Sequence, residues 1–270
     1  MKKSIARTLA IGAALAALAA PLTAQAHRAW LAPTATVLSG SDAWVGFDAG
    51  MSNGVFIPDH AAMNLAGLVI TAPDGSTAAP ENMMRARYRS SFDLHLTQAG
   101  TWRVANVMSG VVVSYKENGE QKRWRGTEAE MAAAIPAGAT DVSATRSDSR
   151  IETFVTLGAP STTALAPTGK GIELVPVTHP NDLVAGEAAT FKLVRDGQPA
   201  ADLDVTIARG GTRYRDNPEE MTVKTGADGS FTVTWPEAGM YWMNASVRTP
   251  AEGTQMAASA QYNGVVEVLP

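Results

Sequence analysis

From residue 28 onward the chain is written in period two. Phe92, Leu94 and Leu96 alternate with Asp93 and His95, and Phe231, Val233 and Trp235 alternate with Thr232 and Thr234. Alternation of this kind puts apolar side chains on one face of a strand and polar ones on the other. Tight-turn signals stand between such segments at Pro73-Asp74-Gly75, Asn118-Gly119, Asp196-Gly197 and Asp228-Gly229. A further strand is expected from Arg150 to Leu157. Helical signals gather at one short place. Thr127 is the cap, Glu130 completes a capping box, Met131 to Ile135 form the body, and Pro136 stops growth.

The alternation also repeats on a larger scale. Residues 92–102 (FDLHLTQAGTW) align without a gap on residues 231–241 (FTVTWPEAGMY). Each copy reads as a strand, a corner at Ala-Gly, and an aromatic that opens the next strand, much like the aromatic corner of immunoglobulin-like sandwiches. A weaker echo precedes each copy, at residues 40–47 and 186–193. The pattern therefore predicts an all-β protein of two immunoglobulin-like β-sandwich domains in tandem, with one short helix in the first. The domains are expected at 27–158 and 172–270, joined by a linker at 159–171 whose Pro, Ser, Thr, Ala and Gly content is that of a connector.

Ahead of the strands lies a different pattern. Lys2, Lys3 and Arg7 precede an apolar run from Leu9 to Leu22, followed by Ala24-Gln25-Ala26. This is the order of a cleavable signal peptide over residues 1–26. The run falls short of the roughly 20 apolar residues that span a bilayer. An exported, periplasmic protein that is not integral to the membrane after cleavage is expected. With no cysteine in the chain there is no disulfide framework, and the fold must rest on its cores. Residues 1–26 hold three basic side chains and no acid, so the formal charge of −4 becomes −7 without them. That surface disfavours nucleic acid as a partner; the expected partner is an envelope transporter or receptor.

Cleavage after Ala26 would make His27 the first residue. An internal histidine offers a metal one ligand atom at a time, but an N-terminal histidine offers its α-amine as well, with reference pKa values of about 7.7 and 6.5 for the two groups. His60, in a loop after Pro58-Asp59, is the expected partner ligand, read against an ordinary loop residue. His179 is a further candidate ligand. It lies in Thr178-His179-Pro180-Asn181-Asp182, where the alternative is a packed turn at the boundary between the domains. His95, between the inward Leu94 and Leu96, should face solvent. Two imidazoles and an amine suit Cu(II) or Ni(II) better than Mg or Ca, and copper, nickel or cobalt is the expected cargo.

Other motifs have plainer explanations. Met240-Tyr241-Trp242-Met243 reads as a strand covered on both faces, and Met83-Met84 with the arginines after it reads as a protected sheet edge. Gly50-Met51-Ser52-Asn53-Gly54 has the spelling of a nucleophile elbow, but Val55-Phe56-Ile57-Pro58 cannot open the helix that the elbow requires. No catalytic set emerges, which predicts a non-enzymatic binding protein.

The segments His27-Arg28-Ala29-Trp30-Leu31, Pro58-Asp59-His60, 122–126 (KRWRG), 152–156 (ETFVT) and above all 173–183 (ELVPVTHPNDL) resemble the family catalogued as domain of unknown function 4198. The resemblance spans the chain after residue 26. It implies an exported bacterial protein of the kind labelled as a periplasmic component of nickel or cobalt uptake. The alternative from the residues is an immunoglobulin-like scaffold or adhesion module that binds another envelope protein without metal.

Overall fold

A computed structural model describes residues 27–270, so the signal-peptide expectation for residues 1–26 lies outside the described residues. The described chain is all-β, with strands from Arg28–Pro33 to Ala257–Val268 and an α-helix at Glu128–Ala134. That helix sits where the sequence places it. Thr127 Oγ1 accepts from the Glu130 amide, and the Glu130 carboxylate accepts in return from the Thr127 amide at 2.9 Å. The hydrogen bonds from the Thr127 amide and hydroxyl hold the Glu130 carboxyl below its ordinary value.

A five-stranded sheet runs Arg28–Pro33, Ala43–Ser52, Ser90–Leu96, Glu81–Arg85, with Ala61–Ala62 also paired to Ala43–Ser52. It packs on one part of a ten-stranded sheet to enclose a core that includes Leu31, Phe47, Phe92, Leu94, Trp102, Val104 and Val155. A four-stranded sheet around Ala188–Arg195 packs on the other part, over Leu174, Phe191, Phe231, Trp235, Tyr241, Met243 and Tyr262. The repeat is carried into three dimensions. Phe47 lies opposite Phe92 with ring centroids 4.8 Å apart, and Phe191 lies opposite Phe231 at 5.6 Å. Both corner glycines take positive φ, 126° at Gly100 and 139° at Gly239. At each corner the aromatic donates to the carbonyl four residues back, Trp102 Nε1 to Gln98 at 3.1 Å and Tyr241 OH to Glu237 at 2.7 Å.

The two cores are joined by a shared sheet as well as by the chain between them. The Thr140–Leu157 strand pairs in parallel with Ala257–Val268, from Thr145 opposite Ala257 to Thr153 opposite Val265, so the ten-stranded sheet runs through both units. Residues 159–171 are fastened down. Ala164 and Leu165 are buried in a short 3-10 turn, and the Arg103 guanidinium donates to the Ala166 carbonyl at 2.9 Å. Strands paired across more than a hundred residues leave no turn signal. What they leave is an unbroken buried run, and every residue from Arg150 to Leu157 is buried.

An ion triad is sealed into this joint. Arg150 approaches Glu152 at 3.3 Å and Glu173 at 2.9 Å, with all three side chains no more than 5% exposed. Burial pushes the Glu152 carboxyl up against the opposing pull of Arg150 and Arg103. Burial also works on Glu173, but hydrogen bonds from Thr168 and Gly169, together with Arg150, hold its carboxyl below the ordinary value. The strand starts ten residues before the expected Arg150, because Thr140 to Ser149 continue into an arm. There Val111, Val113 and Tyr115 pack with Trp124, Met131 and Ile135 beneath the helix.

Candidate metal centre

The Ala43–Ser52 strand ends between two partners. Met51 lies opposite Ala29 on one side and Ala61 on the other. His27 stands two residues before Ala29, and His60 immediately before Ala61. Both chain segments therefore converge over the end of one strand. The rings meet, with centroids 3.5 Å apart and planes 13° from parallel. Both residues are exposed, so an ion can reach them from solvent.

The loop that carries His60 is held by Asp59, whose Oδ1 accepts from the Asn53 amide at 3.0 Å. The strand that carries His27 is held from several directions. Trp30 lies over Gly50, where an added Cβ would stand 2.8 Å from the indole, and its Nε1 donates to Ser52 Oγ at 2.7 Å. Trp242, from the second unit, donates its Nε1 to the Ala29 carbonyl at 2.9 Å. The Arg28 guanidinium lies 5.2 Å from the centroid of the Trp242 ring and pairs with Glu220. Trp30, Val55, Ala208, Trp242 and Val265 close a small core across the joint. The second unit thus fixes the backbone that presents His27.

Two nitrogens bound to one ion at about 2 Å each stand at most about 4 Å apart, and the ring contact brings the two side chains into one place. Their orientation suits a shared ion less. An imidazole lone pair lies in the ring plane, so near-parallel stacked rings do not aim at one point until one of them turns about its side-chain torsions. Among the described residues, no group of three or more His, Cys, Asp and Glu side chains is placed to hold a metal. A third donor at this place would be the α-amine of His27, present once the chain begins there.

His179 lies elsewhere and is occupied. Its Nδ1 accepts from the Asn181 amide at 3.2 Å, while Nε2 stands 3.0 Å from Thr101 Oγ1 and 3.3 Å from the Ser161 carbonyl. With Nδ1 accepting, Nε2 carries the proton, and desolvation holds the ring pKa below its ordinary value despite the nearby Ser161 carbonyl and Asp182. A metal at His179 would have to displace these bonds. His95 stacks on Trp44 at 4.5 Å and meets Asp42 at 2.6 Å, at the edge of solvent. Ser52 of the elbow-like pentapeptide is buried, accepts from Trp30 and donates to the Gly54 carbonyl, and no helix follows it. Tyr241 and Met243 enter the second core, while Met240 and Trp242 face the small core at the joint. Sequence reasoning missed the clamp of Arg28, Trp242 and Glu220, since no local pattern links residues so far apart in the chain.

Fold and site together define an all-β sandwich protein with an exposed histidine pair at its first strand. The chain belongs to the family described as a domain of unknown function, DUF4198, whose model matches residues 24–249. No curated protein matches it. Among solved structures it is similar to the D0-D1 domain of Intimin, at 14% identity over 89% of this chain and 97% of that one, with a TM-score of 0.23. It is also similar to trypsin-activated alpha-2-macroglobulin from Escherichia coli, at 10% identity over 89% of this chain, with a TM-score of 0.22. A DUF4785 family protein from Legionella pneumophila aligns at 8% identity over 88% of this chain, with a TM-score of 0.24. The chain spans 15% of the macroglobulin and 55% of the Legionella protein. Among the described residues, no helix is long and apolar enough to cross a membrane.

Proposed function

We propose that residues 1–26 direct export to the periplasm, that the mature chain begins at His27, and that His27 and His60 together bind a copper, nickel or cobalt ion for delivery to an envelope uptake partner, without catalysing a reaction. The observation that carries this reading is the contact of the two rings, 3.5 Å apart although 33 positions separate them in the chain. The freed α-amine and Nδ1 of His27 close a six-membered chelate ring on one ion, and His60 supplies the third nitrogen. Three nitrogens from imidazole and amine favour Cu(II) and Ni(II), with affinity ordered copper above nickel above cobalt. The exposed position suits transfer, because the ion can be handed on without opening a core.

Equilibrium titration of Cu(II), Ni(II) and Co(II) into protein beginning at His27 tests the reading against its His60→Ala variant. The expected loss in the variant is at least about tenfold, or about 1.4 kcal/mol. Affinity should rise with pH for both proteins, since the ligands bind in their deprotonated forms. Absence of binding to the parent protein would leave the metal-free envelope scaffold as the better reading.

A further inference from the structure

A second feature lies on the arm and is independent of the histidine pair. A cleft of about 420 Å³ opens on the ten-stranded sheet where Gly239–Thr249, Ala257–Val268, Thr140–Leu157, Gly100–Glu117 and Glu120–Gly126 lie side by side. Register fixes what stands on its floor. Arg248 lies opposite Ser259, and Ser259 opposite Ser147. One pleat away, Ala257 lies opposite Thr145, Thr145 opposite Val112, and Val112 opposite Arg125. Residues two apart on a strand share a face, so Arg123 joins Arg125 there. The other face of the same strands is taken by Val111, Val113, Trp124 and Ala144 under the helix.

Charge on this floor is of one sign. The residues lining the cleft include Arg123 and Arg248 and no acid, in a chain whose formal charge is −4. Neither arginine takes part in an ion pair among the described residues, and both are exposed. Two acids on neighbouring elements are paired, Glu128 with Arg146 at 2.8 Å and Asp141 with Lys116 at 2.7 Å. Arg125 donates to Ser147 Oγ at 3.2 Å, which orients that hydroxyl. Thr145, Ser147, Thr249 and Ser259 also line the cleft.

A guanidinium presents paired donors that match the two oxygens of a carboxylate or phosphate, and hydroxyls both donate and accept. We infer that this cleft binds a small sugar acid, with the oxyanion held at one end of the cleft by an arginine, Arg123 or Arg248, and the sugar hydroxyls met by the serines and threonines. The oxyanion is the shared chemistry of a uronate and a sugar phosphate. Four probes separate the sources: glucuronate, glucose 6-phosphate, glucose and inorganic phosphate.

Calorimetric titration of the full mature chain should show binding of glucuronate or glucose 6-phosphate, with glucose at least tenfold weaker. Whichever anionic sugar binds more tightly names the oxyanion. Of Arg123→Gln and Arg248→Gln, the one at the oxyanion end should weaken that sugar at least tenfold, with unchanged melting temperature and unchanged metal affinity. Failure of both anionic sugars to bind overturns the inference, as does binding unaffected by either substitution. Inorganic phosphate binding as tightly as glucose 6-phosphate overturns the role of the hydroxyls.

Discussion

The two aromatic corners share a backbone and differ in what surrounds it. At Gly239 an added Cβ would find Arg209 Cδ as its nearest neighbour, at 3.7 Å. At Gly100 it would stand 2.7 Å from Pro73 Cβ and from Ser161 Oγ, because the connecting segment is pressed against this corner. The residues beside the corner aromatics diverge further. In the first unit, Thr101 Oγ1 contacts Thr156 at 2.9 Å and reaches His179 of the second unit at 3.0 Å. In the second unit, Trp242 reaches back to the Ala29 carbonyl of the first. The repeated frame thus carries two unlike contacts, one from each unit into the other. The frame gives each unit its core; the added contacts make the joint, and the joint steadies the strand that carries His27.

If the joint outweighs the frame, damage to its buried ions should exceed damage to either corner. Arg150→Met leaves Glu152 and Glu173 buried without their cation, and the expected loss is about 3–5 kcal/mol of unfolding free energy. Chemical denaturation measures it. Next in size is the contrast between the glycines. Gly239→Ala carries the cost of positive φ alone, about 1–3 kcal/mol, whereas overlap with Pro73 and Ser161 should add about 1–3 kcal/mol more to Gly100→Ala. Equal losses at the two positions would mean that the connecting segment yields freely.

How much of this was legible follows the same division. The frame was written locally: alternation, Ala-Gly corners and the Thr127–Glu130 capping box each depend on residues a few positions apart, and the strands, repeat and helix formed where these signals stand. The joint was not, since the parallel pairing of Thr145–Thr153 with Ala257–Val265 and the clamp of Trp242 on Ala29 depend on residues that only the fold brings together. The composition of residues 159–171 reads as a linker, and the packing of Leu165 within it into the second core is not written in that composition. For the site, His27 and His60 could be nominated as partners from position and chemistry and their rings do meet, but the stacked orientation of the rings could not be read from the sequence. The turn that holds His179 was legible in Pro180-Asn181-Asp182, whereas the Thr101 and Ser161 groups that occupy its ring nitrogens were not.

Smaller effects sharpen the comparison. Tyr241→Phe removes the hydrogen bond to the Glu237 carbonyl and should cost about 1 kcal/mol. The joint should also carry acid sensitivity through His179. Its folded-state pKa lies below the ordinary 6.5, with desolvation as the chief cause, so as pH falls the unfolded chain takes up a proton before the folded one does. This contribution to stability is therefore complete above about pH 6.5 and is lost as pH falls from there through the folded-state value. Denaturant midpoints measured from pH 7.5 to 5 should decline more steeply for the parent protein than for His179→Gln. Parallel curves would remove His179 from the acid response.

In the proposed site His27 offers its amine and its ring to one ion beside His60. The most direct measurement is competitive Cu(II) titration of the chain beginning at His27, set against the same chain with the His27 α-amine acetylated, which leaves both imidazoles and the 3.5 Å ring contact in place. Acetylation is expected to weaken binding at least about tenfold, or about 1.4 kcal/mol. Equal affinity in the two forms would contradict it.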